Sequence, residues 1–327
     1  MKILVTGSSG HLGEALMRSL RPLGHTPIGI DTVAGPFTSH RGSITDRAFV
    51  RRCMAGIAAV LHAATLHKPH VATHGRQDFI DTNITGTLTL LEAAVEAGVG
   101  SFVFTSTTSV FGDALVPPPG APAAWITEDV RPIPKNIYGV TKSAAEDLCQ
   151  LFHRNHGLPV VVLRTSRFFP EADDDKAARN AFADANLKTN EYLHRRVDLE
   201  DVVSAHRLAM ERAPELGFRR YIISAPPPFA PEDMAALRDD APAVVRRYIP
   251  QFEAVYARRG WRMAPGIDRV YVSTRACDEL CWKPHRDFPK LVTLLAADED
   301  VRSPLARLVG SKGYHPESFA EGPYPVG

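Results

Sequence analysis

Short apolar runs alternate with amphipathic stretches along the first half of the chain. The apolar runs predict strands at residues 2–6, 26–30, 58–61, 101–105 and 160–164. The amphipathic stretches predict helices from 11 to about 20, from near 46, over about 77–97 and over 138–156. This order is typical of βαβ units around a parallel sheet. We therefore predict an α/β fold, a Rossmann-type doubly wound parallel sheet.

The alternation weakens after about residue 166. We predict a loop at 171–176, a polar helical stretch at 177–190, an amphipathic helix at 198–212 and a last strand at 221–224. Residues 1–165 are thus expected to form a nucleotide-binding domain, and residues 166–327 a smaller mixed lobe, with 221–224 returning to the region of the main sheet. The Pro-rich stretch 115–134 predicts an irregular surface loop. The tail from Val309 is expected to be a loose terminus, and docking on a neighbouring subunit is the alternative.

Composition excludes several classes of protein. The 327 residues carry a formal net charge of +1, so no basic field exists for nucleic acid or acidic lipid. The longest apolar runs have the length of a strand and do not span a bilayer. A strand is predicted to begin within two residues of the start, so we expect no signal peptide. Cys53, Cys149, Cys277 and Cys281 lack the spacing of a zinc or thioredoxin site, so free thiols and a reducing cytoplasm are expected.

A glycine-rich turn follows the first apolar run directly. Gly7, Gly10 and Gly13 allow the backbone to turn tightly and to approach a pyrophosphate without Cβ atoms in the way. The helix that starts with His11 and Leu12 directs its free N–H groups at the phosphates. The alternative is that the glycines only terminate a strand–helix junction. The position after the first strand favours a dinucleotide site.

Asp31 stands at the end of the second predicted strand, 18 positions after Gly13. A carboxylate there accepts hydrogen bonds from the ribose hydroxyls of the adenosine. A 2′-phosphate would meet a like charge, and no Arg follows directly. We therefore predict NAD rather than NADP, with a simple turn at Asp31 as the alternative.

Tyr138 and Lys142 lie one helical turn apart on the same face of a predicted helix. A secondary alcohol gives up a hydride readily only if a base also takes its O–H proton. Free tyrosine has a pKa of about 10, and we expect the charges of Lys142 and of the nicotinamide to stabilise the phenolate. The alternative is an aromatic residue at a helix start followed by a solvated charge.

In these segments the chain resembles the extended short-chain dehydrogenases/reductases of the NAD-dependent epimerase/dehydratase group. The similarity is good over residues 1–165 and patchy afterwards, with weaker matches at 196–203 and 280–284. The matching segments are residues 6–13 (TGSSGHLG), Asp31, 61–64 (LHAA), 83–87 (NITGT), 104–112 (FTSTTSVFG) and 138–142 (YGVTK).

The resemblance implies roles for residues that the spacing alone does not assign. Thr107 corresponds to the Ser/Thr that hydrogen-bonds the substrate oxygen, with Thr108 as the fallback, and Lys142 would also hold the nicotinamide ribose. His62 is expected to pack beside the strand end. Further cofactor contacts are implied for Ser43, Ile44, Ala63, Asn83 and Thr105, with Ser43 near the position where many relatives bind adenine through an Asp.

The chain also departs from the family pattern. Dehydratases of the group follow the Ser/Thr with Asp-Glu, whereas Thr108 and Ser109 stand here, which disfavours dehydration. Arg167 lies near a position that is usually Asn, and the polar stretch 177–190 replaces a Gly-rich hairpin, as in the short lobe of sugar and uronate dehydrogenases. Four arginines are candidates either to bind a substrate carboxylate or phosphate or to form ordinary salt bridges. They are Arg164, Arg167, Arg195 and Arg196.

His67, His70 and His74 cluster in the loop after the third predicted strand. Ligands bind at the carboxyl ends of strands in open α/β sheets, so His67 is a candidate substrate contact. A metal site and histidines without a task are the alternatives, and we expect no metal.

These observations predict an NAD-dependent oxidoreductase that acts on a secondary hydroxyl of a small, carbohydrate-like substrate. One alternative is a nucleotide-sugar epimerase that recycles its NAD, similar to UDP-glucose 4-epimerase. Another is a non-catalytic NAD-binding protein. The expected assembly is a homodimer.

Overall fold

A seven-stranded parallel sheet forms the centre of the protein in a computed structural model, which describes residues 1–313 and Phe319. The strand order is β3-β2-β1-β4-β5-β7-β8, and β6 pairs with β9 in a separate two-stranded sheet. The strands are β1 (Lys2–Thr6), β2 (Thr26–Asp31), β3 (His40–Arg41), β4 (Ala59–His62), β5 (Ser101–Thr107), β6 (Ala124–Ile126), β7 (Val160–Thr165), β8 (Phe218–Ile223) and β9 (Arg269–Tyr271).

Helices cover both faces of the large sheet and build most of the C-terminal lobe. The helices are α1 (His11–Leu20), α2 (Arg47–Met54), α3 (Arg76–Phe79), α4 (Gly86–Glu96), α5 (Ile137–His156), α6 (Lys176–Ala181), α7 (Asp184–Glu191), α8 (Leu199–Leu216), α9 (Met234–Asp239), α10 (Ala241–Tyr248), α11 (Phe252–Arg259), α12 (Thr274–Glu279), α13 (Phe288–Ala296) and α14 (Pro304–Val309).

Alternate residues of each central strand enter two different cores. In β1, Ile3 and Val5 pack with α1 and α8, whereas Leu4 packs on the opposite face with α2, α4 and α5. All three side chains are fully buried. Because both faces of the strand are covered, its sequence is a continuous run of apolar residues. The predicted doubly wound parallel α/β sheet is confirmed.

The C-terminal lobe has an apolar core of its own, made largely by α9, α10, α11 and α13. The chain nevertheless returns to the large sheet between 199 and 223, where α8 packs on it and β8 extends it beyond β7. The sequence allowed such a return for residues 221–224. The division of the chain at residue 165 stays a prediction.

Two predicted elements differ from the structure. The helix expected over 77–97 is interrupted by a π-helical segment, Ile80–Thr85, between α3 and α4. The loop expected over 115–134 contains β6, which pairs with β9 about 145 residues later in the chain. The exposed two-residue strand β3 was not predicted. Pairing partners so distant, and so short an edge strand, leave no signal in local periodicity.

The four cysteines are free in the structure, as the sequence predicts. Within the described residues, no helix is both long and apolar enough to cross a membrane. The predicted loose tail falls partly outside the described residues, but its first part, 311–313, packs against the N-terminal end of α1.

Candidate active site

A cleft of about 800 Å³ lies at the carboxyl ends of the parallel strands. It brings together the glycine turn, the end of β2, the end of β5 and the start of α5 with the C-terminal lobe. Asn83, Lys142 and Arg164 are not among the residues that line it. The sequence-predicted residues in its lining are Gly7, Gly10, His11, Leu12, Gly13, Asp31, Ser43, Ile44, Ala63, His67, Thr105, Thr107, Thr108, Tyr138, Arg167, Arg195 and Arg196.

The glycine turn has the shape that a pyrophosphate requires. Gly7 has a φ of +72°, and a Cβ atom on Gly13 would lie 1.9 Å from the carbonyl oxygen of Gly7. Gly10 is the N-cap of α1 and has no side chain to accept from the N–H groups of the first turn, and His11, Leu12 and Gly13 line the cleft. Those N–H groups therefore face the cleft as an anion-binding end of a helix.

Asp31 holds its carboxylate at the rim of the same turn. One carboxylate oxygen accepts a hydrogen bond from the backbone N–H of Ser9 (2.9 Å), and the other accepts from the N–H of Val33 (2.9 Å). Each oxygen keeps lone pairs for further donors. The carboxylate is thus fixed beside the turn in a position suited to ribose hydroxyls.

Tyr138 and Thr107 form the centre of the cleft. The side chain of Asn136 caps α5 by accepting from the N–H of Gly139 (3.0 Å), which places Tyr138 in the first turn of the helix. Burial raises the pKa of Tyr138 to about 12, and a hydrogen bond with the Thr107 side chain acts in the opposite direction. The Thr107 hydroxyl oxygen also accepts from the N–H of Ser109 (3.1 Å), so its position at the end of β5 is fixed.

Lys142 lies beneath the cleft rather than in it. Its ammonium nitrogen is 4.0 Å from the centroid of the Phe104 ring. Burial lowers the pKa of Lys142 to about 7, against the influence of Cys149 and Glu146. The expected contribution of Lys142 to the phenolate stays a prediction.

Asn83 positions a loop instead of lining the cleft. Its side-chain oxygen accepts from the N–H of Leu66 (2.9 Å) and the hydroxyl of Thr65 (2.8 Å), and its amide donates to the Leu66 carbonyl (2.9 Å) and to Thr141 (3.0 Å). The π-helical turn that carries it widens the helix locally. Asn83 thus ties α5 to the loop that follows β4.

Arg164 belongs to the buried core. Its guanidinium binds the Glu146 carboxylate (2.7 Å) and lies 5.0 Å from the centroid of the Phe111 ring. Glu146 also accepts from the Ser106 hydroxyl (2.5 Å). Of the two interpretations left open by the sequence, the structure favours a salt bridge for Arg164.

His67 reaches the cleft, as the sequence predicts. Its ring centroid is 6.3 Å from that of Tyr138 and 5.9 Å from that of Phe169. Burial lowers the pKa of His67 well below its usual range, and the charge of His70 acts in the same direction. Within the described residues, no group of three or more His, Cys, Asp or Glu side chains is arranged to hold a metal ion. His62 packs beside the strand end between Thr6 (2.8 Å) and Thr87 (3.0 Å).

A buried ion-pair network forms the opposite wall. The carboxylate of Glu191 binds Arg196 (2.7 Å), Arg195 (2.8 Å) and Arg167 (3.1 Å). Arg167 also pairs with Asp173 and Asp174. Burial alone would raise the pKa of Glu191, but the three guanidinium groups hold it well below its usual range. Arg167 and Arg196 therefore combine a place in the cleft with salt-bridging roles.

The sequence did not indicate the role of Glu171 or of the C-terminal segment. One Glu171 oxygen accepts from His11 (2.7 Å), from the Ser311 hydroxyl (2.7 Å) and from the backbone N–H groups of Lys312 (2.9 Å) and Gly313 (3.1 Å). Burial alone would raise the pKa of Glu171, but these hydrogen bonds lower it to about 2. The partners of Glu171 lie 140 or more residues away in the chain, so no local sequence signal reveals these contacts. The acidic stretch 171–176, taken alone, is typical of a solvated loop.

Comparison with known proteins finds a matching family model and several curated relatives. The model of the NAD dependent epimerase/dehydratase family matches residues 3–223. A dTDP-glucose 4,6-dehydratase from Streptomyces antibioticus is 28% identical over 322 residues, covering 88% of this chain and 89% of that protein. A UDP-glucose 4-epimerase from Rhizobium leguminosarum bv. trifolii is 33% identical over 173 residues, half of each chain. Other curated relatives are matched over 39% to 60% of their length.

Solved structures agree in fold. A short-chain dehydrogenase/reductase superfamily protein from Agrobacterium tumefaciens with bound NAD superimposes with a TM-score of 0.65 at 25% identity, covering 91% of this chain and 96% of that one. The family match spans well over half of the chain, and the glycine turn and Asp31 fit the cofactor that this structural relative holds. The chain belongs to the NAD dependent epimerase/dehydratase family, and its cofactor is NAD.

Proposed function

We propose that the protein is an oxidoreductase that transfers a hydride at a secondary hydroxyl of a sugar or sugar-derived substrate. The observation that carries the proposal is the hydrogen-bonded pair of Tyr138 and Thr107, held in the same cleft as the glycine turn and Asp31. A protein that only senses NAD has no need of a buried phenol beside a hydroxyl at the mouth of the sheet. This pair therefore supports an enzyme over the non-catalytic alternative.

Tyr138 acts as the base at its phenolic oxygen. With a pKa of about 12 in the ligand-free protein, the phenol is protonated near neutrality, so it acts as a base only after its own proton has passed to solvent. The positive charge of bound NAD⁺ would favour that loss. Thr107 would hold the substrate oxygen in place, which brings its O–H proton within reach of the phenolate oxygen of Tyr138. Bound NAD⁺ supplies the acceptor for the hydride and a positive charge near the phenol. The proton then passes from the substrate hydroxyl to Tyr138 in the oxidative direction.

The cofactor end of the cleft selects NAD. The first turn of α1 and the three glycines would hold the pyrophosphate, and the fixed carboxylate of Asp31 would accept from the ribose hydroxyls. A 2′-phosphate at that position would face the carboxylate directly. Contacts of Ser43 and Ile44 with adenine, of Ala63 and Thr105 with the cofactor, and of Lys142 with the nicotinamide ribose stay predictions.

The ion pairs of Arg167 favour net oxidation over epimerisation. Its guanidinium is already bound by Asp173, Asp174 and Glu191, so it offers little to the diphosphate of a nucleotide sugar. The two short helices α6 and α7 occupy the stretch where the hairpin of nucleotide-sugar enzymes is expected. Epimerisation remains the second candidate because a UDP-glucose 4-epimerase is among the relatives. Thr108 and Ser109 disfavour dehydration.

One assay separates the candidates. Purified protein is given excess NAD⁺ and a panel of neutral sugars, sugar acids, sugar phosphates and UDP-sugars, with NADH absorbance and sugar products followed together. A dehydrogenase accumulates NADH in proportion to product, whereas an epimerase gives product without net NADH. NADP⁺ in place of NAD⁺ should reduce the rate. Absence of any product with the whole panel, in protein shown to bind NAD, would favour the non-catalytic alternative.

The sequence-based expectations about the wider context stay predictions. They are the homodimer, the cytoplasmic location, the carbohydrate-like nature of the substrate and the absence of nucleic-acid and membrane partners.

A further inference from the structure

A buried histidine lies directly beneath the cleft. His206 belongs to α8, the helix that packs on the large sheet, and it is fully buried. Its Nε2 atom is 2.8 Å from the hydroxyl oxygen of Thr105, and its Nδ1 atom is 2.8 Å from the backbone carbonyl oxygen of Val202. The ring therefore connects the backbone of α8 to a side chain of β5.

Thr105 carries this connection into the cleft. It precedes Thr107 by two residues in β5, so the two side chains lie on the same face of the strand. Both threonines line the cleft, and Thr105 is half-buried there. The strands β1 and β4 separate β5 from β2, which ends at Asp31. Thr105 thus lies near the Tyr138–Thr107 pair and away from the adenosine end of the cleft.

The two hydrogen bonds determine which nitrogen of His206 carries the proton. A carbonyl oxygen only accepts, so Nδ1 donates to Val202. Burial lowers the pKa of His206 to about 4, and the bond with Val202 acts in the opposite direction, so the ring is neutral at pH 7. Nε2 then has a lone pair that accepts the only proton of the Thr105 hydroxyl. The Thr105 oxygen can therefore only accept hydrogen bonds from the cleft.

We propose that His206 is a positioning residue of the cofactor site, which makes the Thr105 oxygen an acceptor for a donor on the nicotinamide half of NAD. The donor is either the amide N–H of the nicotinamide or a hydroxyl of its ribose. The resemblance implies a cofactor contact for Thr105, and His206 sets the polarity of that contact. This role in NAD binding is the same for net oxidation and for epimerisation.

Nitrogen-15 NMR of the ligand-free protein tests the protonation of the ring. In a sample labelled at histidine, His206 should show a protonated Nδ1 and an unprotonated Nε2 at pH 7. The variant His206→Gln identifies these signals, because they are missing from its spectrum. A protonated Nε2 would overturn the proposal, since Thr105 would then be the acceptor and its own proton would be free for the cleft.

Calorimetry with three ligands identifies the donor. Thr105→Val removes the hydroxyl and keeps the shape of the side chain. We expect it to weaken NAD binding about 3- to 10-fold, as the loss of one hydrogen bond does, and to leave binding of ADP, which lacks the nicotinamide half, unaffected. For ADP-ribose, a loss equal to that for NAD identifies a ribose hydroxyl, and no loss identifies the amide. Equal losses for NAD and ADP, or no loss for NAD, would overturn the proposal.

Variants of His206 show whether the ring acts through Thr105. His206→Leu removes the acceptor and should weaken NAD binding by a similar factor, whereas His206→Gln offers a carbonyl oxygen in place of Nε2 and should recover most of the affinity. The double variant Thr105→Val/His206→Leu should bind NAD no more weakly than Thr105→Val alone. Losses that add in the double variant would indicate a merely structural role and contradict the proposal. Thr105→Val and His206→Gln decide the test if His206→Leu does not fold.

Thr89→Val is the matched control. Thr89 is buried in α4, and its hydroxyl donates to the Thr85 carbonyl oxygen (3.0 Å) away from the described residues that line the cleft. Its NAD affinity should equal that of wild type. A loss as large as in Thr105→Val would show that removal of any buried hydroxyl weakens NAD binding, which would contradict the proposal. Absence of NADH formation from every sugar, with the affinities as expected, would count against the proposed function alone.

Discussion

The two ends of the cleft are built on different principles. At the cofactor end, Gly7, Gly13 and Asp31 lie within 31 residues of the start of the chain, and backbone geometry shapes the site. At the substrate end, Glu191 joins Arg195 and Arg196, which follow it in the chain, to Arg167. Arg269, the first residue of β9, lines the same cleft. The first end can be recognised from a short motif. The second depends on tertiary contacts between side chains, which a short motif does not reveal.

The largest expected effect lies where the two ends meet, at Tyr138. Tyr138→Phe removes one hydroxyl and little packing, so turnover should fall about 10²- to 10⁴-fold, the usual contribution of a general base. NAD affinity should change by no more than a few-fold, because the cofactor end is untouched. Steady-state kinetics and calorimetry measure the two quantities. Activity above about a tenth of wild type would exclude Tyr138 as the essential base.

The substrate end should respond most to Glu191→Gln. The change removes the charge that three guanidinium groups share in a buried site, and breaking such a pair costs about 3–5 kcal/mol of the free energy of unfolding. Denaturant unfolding at neutral pH measures the loss. The matched control is Glu253→Gln, which breaks an exposed pair with Arg246 and should cost less than about 1 kcal/mol. Similar losses for the two variants would mean that the network does not hold the wall together.

At the cofactor end, Gly13→Ala should lower stability and NAD affinity through a steric clash, whereas Glu191→Gln acts through the loss of a charge. The new Cβ would lie 1.9 Å from the Gly7 carbonyl oxygen, so the turn must shift, at a cost of about 1–3 kcal/mol in stability. NAD affinity should fall with it, because the displaced backbone forms the pyrophosphate site. At Gly100 a Cβ would meet only a carbonyl oxygen at 3.7 Å, which makes Gly100→Ala the control for loss of a glycine. Unchanged NAD affinity in Gly13→Ala would show that the glycine turn is not part of the cofactor site.

The same contrast explains what could be predicted from the sequence. Local patterns predict most strands of the large sheet, the glycine turn, Asp31 and Tyr138. Apolar periodicity and backbone turns depend on residues that are neighbours in the sequence. Asn83, Lys142 and Arg164 matched the family or carried the right charge, but their side chains bind a loop, a ring and a buried carboxylate outside the cleft. The strand β6, the partners of Glu171 and the approach of Arg269 depend on residues more than 70 positions away. No pattern within one segment encodes them.

Glu171 links the two ends, and its pH dependence gives the smallest effect. Its pKa is about 4.3 in an unfolded chain and about 2 here, because His11, Ser311 and the N–H groups of Lys312 and Gly313 donate to the charged form. A depressed carboxyl pKa stabilises the fold above the unfolded value, and this contribution is lost as the pH falls from about 4.3 towards 2. Glu171→Gln should therefore lower the melting temperature at pH 7 and bring the curves of variant and wild type together near pH 2.

The control for this prediction is the exposed carboxylate of Asp298, which pairs with Arg259 at the surface of the C-terminal lobe. Asp298→Asn should have little effect at pH 7, since exposed pairs contribute less than about 1 kcal/mol. Glu171→Gln should also weaken NAD binding by a few-fold, because the His11 ring at the start of α1 then faces a neutral acceptor that holds it less tightly than the carboxylate does. A melting-temperature difference between Glu171→Gln and wild type that stays constant from pH 7 to pH 2 would show that the carboxylate charge does not hold residues 311–313 against the cofactor turn.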